Sequence, residues 1–140
     1  MKRKNLIVKR KVKKQKLLTN NLRIKDFYKK FKTIISRNIK KEDFVLAVSG
    51  GSDSLCLAYF GKLYSAEFKN KVHFLIINHN LRKESFKEAL KVKEILKKKQ
   101  IKGKVINWKG SLPKKNIQKN ARDIRYSLLS EYCFKNNVKY

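Results

Sequence analysis

The stretch Phe44-Val45-Leu46-Ala47-Val48-Ser49-Gly50-Gly51-Ser52-Asp53-Ser54-Leu55-Cys56-Leu57-Ala58-Tyr59-Phe60 sets an apolar run against a glycine pair and then a segment of helical character. A continuous apolar run suits a strand covered on both faces, as in a parallel sheet. Two consecutive glycines open backbone angles closed to other residues and let a ligand approach closely. The first amides of the helix that follows point outward unpaired, an arrangement that receives phosphate oxygens. The loop lacks the lysine and spacing of GxxxxGK[ST], so an ordinary P-loop NTPase is disfavoured. Asp53 beside a polyphosphate would be repelled unless a divalent cation lay between them. Magnesium, held by one or two carboxylates plus substrate phosphates, meets that demand. The plainer alternative is a tight connection in which the serines and Asp53 only cap the helix.

Working outward, strands alternate with helices. Leu22 to Ile39 places Ile24, Phe27, Phe31, Ile34 and Ile35 three and four apart among lysines, which predicts an amphipathic helix. The first strand covers Phe44 to Val48, and the helix after the glycine turn runs to about Ala66. Val72 to Asn78 is a second buried strand, and Ser85 to Lys99 a helix with Phe86, Ala89, Leu90 and Leu96 on one side. Lys104 to Trp108 makes a third strand. Asn116 to Asn136 is a helix striped by Ile117, Ala121, Ile124, Leu128 and Tyr132. The fold class is therefore α/β, a Rossmann-like parallel sheet flanked by helices. Val138-Lys139-Tyr140 reads as the start of another strand, so a sheet of about three strands is expected to be truncated. The single proline, Pro113, falls between the third strand and the last helix.

The 140 residues suffice for one domain, and 38 Lys and Arg against 10 Asp and Glu leave a net charge of +28. Such a chain binds polyanions by counterion release, which favours a nucleic-acid partner; lysine-rich usage from an AT-rich genome is the competing source of the charge. Met1 to Leu18 carries nine Lys or Arg and no acid, and reads as a basic arm or solvated tail rather than a transit peptide. Cys56 and Cys133 form neither a CxxC pair nor a disulfide framework, which implies a reducing compartment. No apolar stretch approaches the roughly 20 residues that span a bilayer. A soluble protein is expected.

Two further constellations stand beyond the strands. Asn78-His79-Asn80-Leu81-Arg82-Lys83-Glu84-Ser85 follows the second strand at its carboxyl end, where open α/β sheets place ligands. His79 and Arg82 are candidates there, against the reading of His79 as an ordinary loop histidine; His73, inside a strand, reads as a packing residue. Arg122 and Arg125 lie three apart on the last helix, so both can face one side and supply fixed charge, or both can be solvated.

Taken together, SGGSDS, NHNLRKES with Glu88-Ala89 behind it, and Asn116 through Ala121-Arg122 to Arg125-Tyr126 resemble one branch of the PP-loop N-type ATP pyrophosphatases. That branch is the tRNA(Ile)-lysidine synthase family, and the likeness covers about residues 44 to 130. It implies a ligase that adenylates O2 of the wobble cytidine of an isoleucine tRNA with ATP, releases pyrophosphate, and attaches lysine to give lysidine. The partners implied are tRNA(Ile) and L-lysine, with ATP and Mg²⁺ as cofactors and a cytoplasmic or organellar location. The site implied comprises Ser49, Gly50, Gly51, Ser52, Asp53 and Ser54 for the phosphates. His79 and Arg82 bind nucleotide, Asp53 binds metal, and Asp53, Arg122 and Arg125 are catalytic. Residues 1–20 are then a basic extension and 21–140 a partial catalytic domain. The family pattern continues into a segment resembling AHHxDDQxET that is absent here, so little turnover by this chain alone is expected. Another PP-loop enzyme, for tRNA thiolation or nucleotide amidation, and a non-catalytic basic nucleic-acid-binding fragment are the alternatives.

Overall fold

A computed structural model describes residues 21–80, 84–110 and 116–140. The basic leader, Arg82 and Pro113 lie outside the described residues. The chain divides into two compact units, Met1–Asn38 and Ile39–Tyr140. The first contributes helix α1 (Leu22–Asn38), where the apolar spacing predicted it. Asn21 caps it, its Oδ1 accepting a hydrogen bond from the Arg23 amide at 3.0 Å.

The second unit runs β1 (Phe44–Ala47), α2 (Ser52–Phe68), β2 (Val72–Asn78), α3 (Ser85–Lys98), β3 (Gly103–Asn107) and α4 (Ile117–Lys135). The strands form one parallel sheet in the order β1-β2-β3. In the register, Leu46 lies opposite Phe74 and Ile76 opposite Val105.

Because strand side chains alternate, the two faces of the sheet separate by parity. Val48, Phe74 and Ile76 point to one face and close a core with Ala58 of α2, Ala89, Val92 and Leu96 of α3, and Ile101. Helix α2 carries apolar residues around much of its circumference, and Ala58, Phe60, Gly61, Leu63 and Tyr64 are buried. The other face meets α4. His73 Nδ1 lies 2.9 Å from the Tyr132 hydroxyl, and Lys104 Nζ sits 5.0 Å over the Tyr132 ring. His73 is thus more than packing. Its pKa is lowered by burial first and then by Lys71, with Asp43 opposing.

The amino ends of β1 and β2 are fastened by side chains. Lys71 N donates to Asp43 Oδ1 at 2.7 Å, Asn70 Nδ2 to the Glu42 carbonyl at 3.1 Å, and the Tyr64 hydroxyl to the Lys40 carbonyl at 2.9 Å. Past α4 the chain returns to the outer edge of β1, where the Val45 amide donates to the Tyr140 carbonyl at 2.7 Å and Val138 is buried.

Two expectations are corrected. In α3 the buried stripe is Ala89, Val92 and Leu96, whereas Phe86 and Leu90 are exposed. Leu90 follows Ala89 by one residue and so points about 100° away from it. The third strand also begins and ends one residue earlier than expected. Leu96, 1% exposed, is the side chain that seats α3 on the sheet. Leu96→Ala is expected to cost about 2–5 kcal/mol in denaturant unfolding, since it empties a site between helix and sheet.

Candidate functional site

The site is built where β1 stops. Gly50 turns the chain at φ 94, and a Cβ there would run into Cγ2 of Val92 on α3. Only glycine suits that angle and that contact. Gly51 differs from the expectation for the pair. Its φ of −68 and ψ of 159 are extended values that any residue adopts, and the nearest atom to a Cβ there would be Ser49 Oγ at 4.0 Å. Gly50 therefore serves the turn, while Gly51 leaves open space in front of the loop.

Helix α2 starts directly behind. Its first i to i−4 bond runs from the Leu55 amide to the Gly51 carbonyl at 3.0 Å, and Gly51 offers no side-chain cap. The amides of Ser52, Asp53 and Ser54 precede that bond and have no intrahelical carbonyl. The positive end of the helix dipole adds to their attraction for an anion. The Ser54 hydroxyl turns inward instead. It donates to the Gly51 carbonyl at 2.9 Å and accepts from the Gly50 amide at 3.1 Å, with Ser49 Oγ also 3.1 Å away. Ser54 thus staples the turn, and Ser49 and Ser52 are the hydroxyls at the exposed rim.

Asp53 lies in the first turn of α2 with an exposed carboxylate, its Oδ1 3.4 Å from Ser52 Oγ. Among the described residues no group of three or more His, Cys, Asp or Glu gathers to hold a metal. A lone carboxylate fits an ion such as Mg²⁺ that takes one protein ligand and completes its shell with phosphates and water.

Beside the loop, at the carboxyl ends of β1 and β2, opens a cavity of about 320 Å³. Ala47, Val48, Ile76 and Ala89 give it apolar walls, and Ser49, Ser85, His79, Glu88 and Arg125 bring polar groups. That volume is at the small end of ligand pockets, and the mixture of walls is the usual one. Arg125 Nη2 reaches His79 Nε2 at 3.3 Å. A guanidinium only donates, so Nε2 is the acceptor and the ring proton sits on Nδ1. The His79 pKa is lowered, by burial first and then by Arg125, both of which disfavour the charged ring.

The two arginines part company. Arg125 lines the cavity, whereas the Arg122 guanidinium lies 5.6 Å over the exposed Tyr126 ring and does not. Sequence reasoning named neither Ser85 nor Glu88 as a site residue, although both belong to the motif run that pointed here. Cys56 and Cys133 are both free thiols. Among the described residues no helix is long and apolar enough to cross a membrane.

Comparison with known proteins agrees with this geometry. The PP-loop domain family matches residues 19–140. The tRNA(Ile)-lysidine synthase of Bartonella henselae is 40% identical over 101 residues, covering 71% of this chain and 20% of that protein. The enzyme of the same name from Wolbachia pipientis wMel is 43% identical over 99 residues, covering 68% and 22%. The chain thus spans about a fifth of the length of these relatives. Among solved structures, an NH3-dependent NAD synthetase from Campylobacter jejuni shares the fold. Its TM-score is 0.50 at 19% identity, over 82% of this chain and 52% of that one.

Proposed function

The chain belongs to the PP-loop domain family, and from that premise we propose that it carries the ATP-handling part of a tRNA(Ile)-lysidine synthase. The observation that carries this is the pairing of an anion-ready helix start with an adjoining cavity. The rim of the SGGSDS loop takes the phosphates, and the space beside Val48, Ile76 and His79 takes the nucleoside. The names of the relatives supply the acceptor.

In the proposed reaction, O2 of the wobble cytidine attacks the α-phosphorus of ATP, and the bond to pyrophosphate breaks. The ε-amine of free lysine then attacks the activated carbon, AMP leaves with the oxygen, and the amine gives up its proton. The amides of Ser52 and Asp53 and the hydroxyls of Ser49 and Ser52 hold the departing pyrophosphate. Arg125 faces the cavity with a fixed positive charge, which suits the phosphate of the adenylate. Asp53 would hold Mg²⁺, which when bound neutralises charge on the leaving group. The net charge of +28 suits tRNA as partner. A cytoplasmic or organellar location belongs to the same proposal.

The test substitutes this chain for the matching part of the Bartonella henselae relative and follows AMP. Formation that requires both tRNA and lysine is expected. AMP release indifferent to lysine would overturn the lysidine assignment and favour another PP-loop acceptor. In parallel, Mg-ATP binding by the 140-residue chain no stronger than its general affinity for polyanions would favour a basic nucleic-acid-binding fragment.

A further inference from the structure

One wall of the cavity is held by an amide network that the proposed reaction leaves unused. Asn78 ends β2 and is 2% exposed, a polar residue closing the apolar run Phe74 to Ile77. Its Nδ2 donates to Asn80 Oδ1 at 3.0 Å and to Asn107 Oδ1 at 2.9 Å, and its Oδ1 accepts from the Asn80 amide at 3.1 Å. Asn80 Nδ2 donates to the Trp108 carbonyl at 2.9 Å, and the Trp108 amide donates to the Asn78 carbonyl at 2.9 Å. The carboxyl ends of β2 and β3 are thereby knotted together beyond the sheet. Asn80 sits at φ 52, an angle asparagine tolerates and most residues avoid. His79 lies between the two knotted residues, so the backbone from which its ring projects is held by theirs. That ring meets Arg125.

We infer that Asn78 is a positioning residue of the cavity: through Asn80 and Asn107 it fixes His79 against Arg125, and so keeps one guanidinium in the cavity wall. The use of that charge rests on the nucleotide reading given above; the positioning does not. Arg125 approaches His79 from α4, and Glu88 lines the same cavity from α3. Without the knot the imidazole would swing toward solvent and Arg125 would lose its tether on an otherwise exposed helix face.

Proton NMR titration of the two histidines in the full chain tests this without nucleotide. Asn80→Gly keeps the φ of 52 at no strain and deletes both side-chain bonds of residue 80. Asn78→Leu removes the centre of the knot. The His79 midpoint is expected to rise toward the ordinary 6.5 in both variants, further in Asn78→Leu, while His73 on the α4 side stays unmoved. Leu96→Ala, destabilising but remote, should leave both midpoints in place. A His79 midpoint unchanged in Asn80→Gly overturns the inference, as does a shared shift of both histidines, which would mean general loosening. Should Asn78→Leu fail to fold, Asn80→Gly decides alone. Mg-ATP affinity measured on the same samples should fall about tenfold, the loss of one charge-assisted hydrogen bond. A shifted His79 with unchanged ATP affinity would keep the positioning role and overturn the nucleotide reading.

Discussion

Replacing Gly51 by valine is expected to abolish saturable Mg-ATP binding while leaving the melting temperature of the chain nearly unchanged. The backbone at Gly51 is extended, and a Cβ there would meet nothing closer than Ser49 Oγ at 4.0 Å, so the fold accepts the side chain. The valine methyls would fill the space through which phosphate reaches the amides of Ser52 and Asp53. Hydrogen bonds to a charged group are worth about 1.5–3 kcal/mol each, so losing two weakens binding by about 10²- to 10⁴-fold. Gly50→Val behaves oppositely. With φ at 94 and Val92 in the way, it should lower the melting temperature markedly and destroy binding only as a consequence. Calorimetric titration and thermal melts of the two variants separate these cases. The shared net charge of the parent and both variants cancels non-specific attraction of ATP. Equal ATP binding by the parent and Gly51→Val would remove the loop from the proposed site.

Asp53→Ala, placed in the chimeric enzyme used to follow AMP, is expected to lower turnover by about a hundredfold or more. A bound divalent ion contributes several kcal/mol of charge stabilisation at a transferring phosphoryl group, and each 1.36 kcal/mol is tenfold in rate. Since Asp53 is the carboxylate in the first turn of α2, no neighbouring acid in that turn substitutes for it. Among the described residues its carboxylate meets the Ser52 hydroxyl at 3.4 Å, a weak contact, so stability should change little. A variant retaining parental turnover across a Mg²⁺ titration would show that Asp53 does not hold the metal.

How much of this was legible in the sequence varies with the range of the interactions. Val72 to Asn78 was read as a strand with its observed ends, because apolar residues dominate it and polar residues bound it. Val48 was counted into β1 and still donates its amide to the Leu75 carbonyl at 2.8 Å, so the difference there is one of labelling. The helix α2 outran its expected end by two residues. Lys69 adopts φ 59 and closes it with a bond to the Ser65 carbonyl, a left-handed cap that glycine would have signalled and lysine did not. The SGGSDS loop was found because its chemistry is local. The separate tasks of its members were hidden, since Gly50 is explained by Val92, 42 positions along, and Ser54 by carbonyls and amides inside the turn. Arg122 and Arg125 share a helix in sequence, but only packing decides that one reaches His79 and the other lies on Tyr126. The asparagine knot joins residues 29 apart, and no periodicity marks such a pairing.

The bond between Val45 and Tyr140 bears on why there is an opening at this place at all. It puts chain on both sides of β1, and the helix leading to it covers the face opposite to α2 and α3. Winding therefore reverses at β1: α2, which leads from β1 to β2, lies on one face of the sheet, and α4, which leads from β3 to the far edge of β1, lies on the other, so neither crossover roofs the carboxyl end of β1. The gap is a property of connectivity, present before any side chain is chosen. SGGSDS is the turn that the chain makes at the lip of that gap, so substitutions there can change what is bound without closing the place where binding occurs.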